Sequence, residues 1–181
     1  MPIPEQAIQA LLDKHAIYEV LVRYARAIDR RDEELLRSVF HPDAIDHHVG
    51  KTATAEEFCG WAMQLLATMG PTAHYVGFPL IDLNGDVAHS ESYAIAYHRL
   101  GEGDAAFDNF LGARLLDRFE RRDGEWRIAH RRVVYDWGRI ERATEAWWDT
   151  LPGDWTLGSR DRDDPDYSDG PWPWPRPGRT A

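Results

Sequence analysis

The chain has 181 residues, 43% of them hydrophobic, and a formal net charge of −10. This length fits one domain with an appended tail, and the apolar fraction is enough to build a core. The acidic balance excludes the basic surface that nucleic-acid binding requires, and it disfavours contact with an anionic membrane.

The cysteine content and the hydropathy pattern bear on location. Cys59 is the single cysteine, so no internal disulfide can form. No apolar run reaches transmembrane length, and the residues after Met1 lack the basic and apolar regions of a secretory signal. We therefore expect a cytoplasmic protein with no membrane partner.

The first predicted helix covers residues 5–28, with a possible break near Lys14 and His15. Its apolar residues recur at helical spacing and form one face: Ile17, Leu21, Tyr24, Ala25 and Ile28. Asp29 lies at the C-terminal end of this helix, where the helix dipole favours cations. Rules of this kind often break at functional sites, although Asp29 could simply pair with a neighbouring arginine or cap the next helix.

Two further helices are predicted at residues 32–40 and from 55 to about 69. Asp32 is a plausible N-cap of the second helix. Thr54 is the predicted N-cap of the third, with Glu57 in the capping-box position. The third helix carries Trp61 on its apolar face.

The rest of the domain is predicted to be mainly β-structure. A short polar strand precedes the third helix, and four long strands follow it, with a turn at Asn84-Gly85 between the first two long strands. The predicted strands are 43–49, 72–83, 87–100, 106–121 and 125–137. Helices followed by an antiparallel meander indicate an α+β fold, with the helices on one face of a curved sheet.

A short helix is predicted at residues 139–150, and the composition then changes. We assign residues 1–150 to the α+β domain and residues 151–181, rich in Pro, Gly, Asp and Trp, to an extended C-terminal tail. Such a tail could cover a pocket mouth, which would bring Trp147, Trp148 or Trp155 near a ligand.

Three stretches of the chain, 24–32, 72–77 and 119–128, resemble the SnoaL-like group of the nuclear-transport-factor-2-like superfamily. The resemblance covers about residues 8–137 and implies a cone-shaped α+β barrel with three N-terminal helices that enclose a pocket. The group includes scytalone dehydratase, hexachlorocyclohexane dehydrochlorinase, bile-acid dehydratase and lyases that deformylate lignin-derived diarylpropanes. It also includes non-enzymes, so the fold alone predicts little about activity.

The resemblance implies a catalytic pair. In these dehydratases and the dehydrochlorinase, an Asp on the first helix pairs with a His at the start of the first long strand, and these positions match Asp29 and His74. A neutral imidazole can take a proton, and a carboxylate on its other nitrogen fixes the tautomer. His74 is therefore the expected general base and Asp29 its partner. The alternative is a structural histidine at a strand start.

Strand alternation and the resemblance nominate further pocket residues. On the polar strand, Asp46 and His48 share a face. Either this face lines the pocket, or the strand lies at the edge of the sheet and both side chains are solvated. On the later strands we expect Tyr93, Ile95 and Tyr97, and then Asn109, Leu111, Ala113 and Leu115, to face inward. Arg131 matches a pocket arginine of the dehydrochlorinase, or it is a surface cation. The predicted substrate-binding residues are Tyr24, Asp46, His48, Trp61, Tyr97, Asn109 and Arg131.

We expect no metal and no cofactor. Asp29, Asp46, His48 and His74 are types that bind zinc or iron, but closely spaced ligand pairs on one face are missing, and the resembling enzymes use no cofactor. No Walker loop or glycine-rich dinucleotide fingerprint is present.

The sequence thus predicts a cofactor-independent lyase for a hydrophobic, aromatic small molecule, an interpretation that the eight Trp and seven Tyr also suit. The alternatives are an isomerase or cyclase of the same fold, and a non-catalytic ligand-binding or dioxygenase small-subunit-like protein. The resemblance further implies a homotrimer.

Overall fold

The computed structural model describes residues 3–144, 146–150, 152–153, 155–161, 163–165 and 167, and at Trp147 and Trp148 it describes the backbone alone. The fold is α+β, as predicted, with three helices packed against one large, curved and mostly antiparallel sheet. The Pro- and Trp-rich stretch 171–175 and most of the predicted tail lie outside the described residues. The domain boundary at residue 150 stays a prediction.

The three predicted helices are present as α1 (Glu5–Arg30), α2 (Glu33–Ser38) and α3 (Ala55–Ala67). The break predicted near Lys14 and His15 is wrong, because neither residue disrupts a helix and α1 runs through both. The predicted caps are confirmed. Asp32 accepts a hydrogen bond from the Leu35 amide at 3.1 Å, and Thr54 and Glu57 form a reciprocal capping box.

The sheet has seven strands, and their bounds correct several predictions. They are β1 (Phe40–His48), β2 (Lys51–Thr54), β3 (Thr72–Val76), β4 (Leu80–Asn84), β5 (Val87–Leu100), β6 (Phe107–Arg122) and β7 (Glu125–Arg142). The strand predicted at 72–83 is two strands, β3 and β4, separated by a segment that contains Pro79, which has no N–H to donate to a ladder. Strand β2 was not predicted.

The helix predicted at residues 139–150 is also wrong over most of its length. Strand β7 continues to Arg142 because the start of β6 supplies a partner for it, with Phe107 opposite Arg142 and Phe110 opposite Arg139. Of the described residues in this range, Trp147–Thr150 are helical, as a short 3-10 turn.

The strand order is β2-β1-β7-β6-β5-β3, with β4 also paired to β5. The antiparallel meander predicted for the long strands is confirmed, since β3 pairs with β5, β5 with β6 and β6 with β7 in antiparallel fashion. The polar strand β1, whose partner was not predicted, pairs with β7 in parallel. This pairing places β1 inside the sheet and not at its edge. The β6–β7 register shifts at Gly112/Ala113 and at Arg118/Phe119, and such irregularities bend strands and increase twist. A Cβ on Gly112 would meet the Trp137 indole at 2.0 Å, so a side chain cannot fit there without a shift.

The core lies between α1, α3 and the concave face of the sheet. The apolar face of α1 predicted from the sequence is buried against it. From the stretch 119–128, Phe119, Trp126 and Ile128 are buried, and the Trp126 indole donates to Asp13 on α1 at 3.0 Å. None of the helices in the described part of the chain has the length and hydropathy needed to cross a membrane.

Candidate active site

A cavity of about 280 Å³ lies between the helices and the concave face of the sheet. Its walls come from α1, α3 and strands β1, β3, β5, β6 and β7, and they are mostly aliphatic and aromatic. None of the described residues that line it is Asp, Glu, Lys or Arg. Its polar groups are side chains of three His, two Tyr, one Trp and one Asn: His48, His74, His98, Tyr24, Tyr135, Trp61 and Asn109.

Asp29 and His74, predicted as a pair, are in direct contact, and His74 lines the cavity. His74 Nδ1 and Asp29 Oδ1 are 2.7 Å apart, and both side chains are 16% exposed. The His74 backbone N–H donates to the other carboxylate oxygen, and the Thr72 hydroxyl donates to Oδ1, each at 2.8 Å. These three contacts fix the carboxylate because the end of α1 packs against β3.

The contacts define the tautomer of His74. A carboxylate only accepts hydrogen bonds, so Nδ1 of His74 carries the shared proton, and in the neutral tautomer that this contact selects Nε2 keeps a lone pair. Burial favours a higher pKa for Asp29, but the hydrogen bonds and charge of His74, together with Thr72, outweigh it and hold the pKa below its ordinary value. Asp29 is therefore an anion at neutral pH, and His74 can accept a proton at Nε2.

His98 is a cavity residue that the sequence analysis missed. Its ring packs edge-on against the His74 ring, with centroids 5.0 Å apart. Burial, followed by the neighbouring His74, lowers the pKa of His98 to about 4, so this ring is neutral at physiological pH. A neutral His98 leaves one ring nitrogen as a donor and the other as an acceptor beside the base.

The missed residue follows from a wrong choice of strand face. We expected Tyr93, Ile95 and Tyr97 to face inward, but Tyr93 and Ile95 are exposed, and the cavity is lined by the alternate residues of β5: Ala94, Ala96, His98 and Leu100. The Tyr97 hydroxyl instead donates to Asp108 at 2.9 Å, away from the cavity. On β6 the predicted inner face is confirmed, since Asn109, Leu111, Ala113 and Leu115 all line the cavity.

A second polar cluster lies where β1 and α3 meet the cavity. The His48 ring packs near Trp61 and Tyr135, with centroid separations of 6.1 and 6.3 Å. The Tyr135 hydroxyl accepts the Val49 N–H at 3.3 Å, which leaves its own proton to donate. The Trp61 Nε1 is buried and has no hydrogen-bond partner among the described residues. Tyr24 lines the same cavity, and burial raises the pKa of its phenol, so it stays protonated.

Arg131 and Asp46 are buried behind Tyr24 and do not line the cavity. Arg131 is fully buried, forms two 2.7 Å hydrogen bonds to Asp117, and stacks 4.1 Å from the centre of the Tyr24 ring. It is thus neither the pocket arginine nor the surface cation that we considered. Asp46 is 1% exposed on an internal strand, so the wet-edge alternative is wrong, and its carboxylate lies 3.7 Å from His48 Nδ1.

Among the described residues, no group of three or more His, Cys, Asp or Glu side chains is arranged to hold a metal ion. Cys59 is a free, buried thiol. Trp155 lines a separate cleft with Thr72 and Arg99 and does not line the cavity.

The neutral state of His98 predicts a pH dependence of stability. Its pKa of about 4 in the fold lies below the ordinary value of 6.5, so the unfolded chain binds more protons between these values. The stabilisation is complete above about pH 6.5 and is lost as the pH falls toward 4. We expect the free energy of unfolding, measured in urea, to fall over this window and to fall less in His98→Asn. A substitution of the exposed His15 is the control, and equal slopes in all three proteins would contradict the prediction.

Comparisons with known proteins agree with this architecture. The model of the SnoaL-like domain family matches residues 9–132. "Uncharacterized protein Rv2910c" of Mycobacterium tuberculosis (strain ATCC 25618 / H37Rv) is 31% identical over 129 residues, which cover 69% of this chain and 86% of that protein.

Two solved structures share the fold. A hexachlorocyclohexane dehydrochlorinase (LinA) type 2 superposes with a TM-score of 0.70 at 20% identity, covering 77% of this chain and 96% of that one. A "Putative Scytalone Dehydratase" from Novosphingobium aromaticivorans DSM 12444 gives a TM-score of 0.67 at 20% identity, covering 77% and 95%. At this identity the likeness shows the fold alone.

Proposed function

The chain belongs to the SnoaL-like domain family, and on this premise we propose that it is a lyase that needs no cofactor and uses His74 as a general base on a neutral, hydrophobic, aromatic small molecule. The observation that carries the proposal is the Asp29–His74 hydrogen bond, with the His74 side chain in the wall of a mostly apolar cavity. It supports an imidazole that is held in one tautomer and stabilised by the carboxylate when it gains a proton.

The reaction that this pair supports is an elimination. His74 Nε2 takes a proton from a substrate carbon, the C–H electron pair forms the new double bond, and a hydroxide leaves the neighbouring carbon. The imidazolium returns its proton to the departing oxygen, so the products are an alkene and water and the enzyme is regenerated.

A carbon–carbon cleavage is the second form of the same chemistry. Here His74 takes the proton of a hydroxymethyl group, formaldehyde leaves, and the electron pair of the broken C–C bond forms the double bond as hydroxide leaves the next carbon. The hydroxide recovers the proton as water. The lignin-derived diarylpropanes are substrates of this kind.

The charge pattern of the cavity favours these leaving groups over a halide. No cationic side chain lies among the described residues of the cavity wall, and Arg131 is held by Asp117 behind Tyr24. The neutral donors Trp61, Tyr24 and Tyr135 suit a substrate hydroxyl or carbonyl oxygen. A substrate with an apolar aromatic body and one or two oxygen groups meets both requirements.

A turnover screen by mass spectrometry tests the proposal, with wild-type protein, His74→Gln and His15→Gln side by side under metal-free conditions. The substrates are aromatic β-hydroxy compounds, including diarylpropanes with a hydroxymethyl group. A product lighter by water alone, or by formaldehyde and water together, formed by wild type and His15→Gln but not by His74→Gln, supports the lyase. A product of unchanged mass indicates an isomerase or cyclase, and tight binding without turnover indicates a ligand-binding protein.

Filling the cavity beside His74 should block binding. Ala96 is 4% exposed and is the cross-strand partner of His74, so Ala96→Leu puts a larger side chain where a substrate ring would lie. We expect the Kd of a neutral probe such as 2-naphthol, followed by tryptophan fluorescence, to rise about tenfold or more. The control Ile95→Val changes the exposed face of the same strand. Equal Kd values in Ala96→Leu and wild type would place the ligand elsewhere.

The homotrimer stays a prediction. Large apolar side chains are exposed on β3, β4, β5 and the adjoining segment, and they supply surface that a neighbouring copy could bury: Tyr75, Phe78, Leu80, Tyr93 and Ile95.

A further inference from the structure

The described part of the C-terminal segment, residues 155–161, 163–165 and 167, lies across the ends of α1 and α3; we refer to it as the C-terminal strap. Asp164 is 3% exposed and lies 3.3 Å from the Arg30 guanidinium at the end of α1. The Tyr167 hydroxyl donates to Asp32 at 2.8 Å. The strap is therefore attached to the last residue of α1, the helix that carries Asp29, and to the N-cap of α2.

Arg160 of the strap contacts both the end of α1 and the segment that ends α3. Its Nη1 donates to the main-chain carbonyls of Leu66, Met69 and Gly70 at 3.0, 2.9 and 2.6 Å, and its Nε donates to the Asp29 carbonyl at 3.3 Å. The last four carbonyls of a helix lack partners within the helix. One guanidinium thus contacts a carbonyl in the last turn of α1, a carbonyl in the last turn of α3 and two carbonyls of the segment that follows α3.

These carbonyls belong to the two chain segments that carry the candidate catalytic pair. The Asp29 carbonyl belongs to the residue whose side chain holds His74. The Gly70 carbonyl lies two residues before Thr72, whose hydroxyl donates to the same carboxylate. Arg160 therefore connects the end of α1, which carries Asp29, to the segment that leads into β3, which carries His74.

The charge of Arg160 is directed at the same place. All its hydrogen-bond acceptors given above are carbonyls, and its Nη2 is buried without a partner among the described residues. A cation is favourable at the negative end of a helix dipole, and here two such ends meet. Burial and the nearby Arg31 and Arg30 lower the pKa of Arg160, while the carboxylate of Asp29 attracts its charge and opposes this shift.

We propose that Arg160 is a positioning residue for the Asp29–His74 pair, which holds the two chain segments that carry the pair at hydrogen-bonding distance and places a fixed positive charge beside them. The inference rests on the proposed function for its catalytic consequence, although the geometric part does not depend on any substrate. It makes the C-terminal strap part of the active site and not an appendage to the domain.

The test compares Arg160→Gln, Arg160→Lys and a control, Arg142→Gln, in the full chain. Arg142 is on the exposed end of β7. Histidine-selective 15N labelling reports the downfield Nδ1–H proton of His74 and the titration of His98. In Arg160→Gln we expect this proton signal to weaken through solvent exchange. We also expect the pKa of His98 to rise. The pKa of His98 is lowered first by burial and then by His74, Arg160 and His48, and it is raised by Asp29. Removing the positive charge of Arg160 therefore removes one of the interactions that lower it.

Arg160→Lys separates the charge from the hydrogen bonds. A lysine keeps the positive charge, but its single ammonium group cannot donate to all four carbonyls as the planar guanidinium does. The Nδ1–H signal of His74 should therefore weaken while the pKa of His98 changes little. If Arg160→Gln does not fold, this variant decides the question through the His74 signal alone. On a substrate found by the turnover screen, kcat of Arg160→Gln should fall about 10- to 100-fold with KM nearly unchanged.

The outcomes distinguish the two proposals. Unchanged His74 and His98 signals in the Arg160 variants, with a lower melting temperature, would show that the strap only stabilises the fold and would overturn the inference. A screen that finds no substrate would contradict the lyase, yet the altered His74 signal in Arg160→Gln but not in Arg142→Gln would still support the positioning role.

Discussion

Replacing His74 with glutamine is expected to lower kcat by about 10³-fold or more, with KM changed less than about threefold. The side chain lies in the cavity wall, and its Nε2 is the group proposed to take the proton. Glutamine has a similar size and can still donate to Asp29, but it cannot accept a proton at neutral pH. The measurement is steady-state turnover of a substrate from the mass-spectrometry screen.

Asp29→Asn should produce a loss of similar size for a different reason. The Thr72 hydroxyl and the His74 backbone N–H already donate to the two oxygens of Asp29. An amide NH₂ in this place donates to His74 Nδ1, which moves the ring proton to Nε2 and removes the acceptor. Full activity in either variant would end the base assignment, and His15→Gln, at an exposed position of α1, controls for a nonspecific histidine effect.

The second large effect concerns stability. Asp117→Leu should lower the free energy of unfolding by about 3–5 kcal/mol, because it leaves Arg131 as a buried charge without its counter-ion. Both side chains have no solvent exposure and share two 2.7 Å hydrogen bonds. Urea denaturation followed by circular dichroism measures the change.

A matched pair on the surface gives the control. Arg122 and Asp43 form the same two-pronged contact, at 2.6 and 3.2 Å, but both are largely exposed. Removing Asp43 should cost about 0–1 kcal/mol. The double variant Asp117→Leu/Arg131→Met should recover most of the loss, since it removes both buried charges. A single variant as stable as wild type would show that Arg131 does not depend on Asp117.

The sequence alone determined the features that depend on local rules. Helical spacing and capping residues predicted α1, α2 and α3, and the Thr54–Glu57 capping box is present as expected. The stretches around Asp29 and His74 predicted the central pair, because the resemblance supplied a partner that neither residue has nearby in the chain. The two side chains are 45 positions apart and 2.7 Å from each other.

The tertiary structure decided the features that depend on which face or edge a residue occupies. Successive side chains of a strand point to opposite faces, so a prediction that is shifted by one residue assigns every side chain to the wrong face. For this reason Tyr97 was predicted to line the cavity and His98 was missed. The parallel pairing of β1 with β7 made Asp46 internal, and Asp117 across the strand pair held Arg131 away from the cavity. Arg160 contacts residues that lie about 90 to 130 positions earlier in the chain, and no local sequence pattern predicts contacts of this kind.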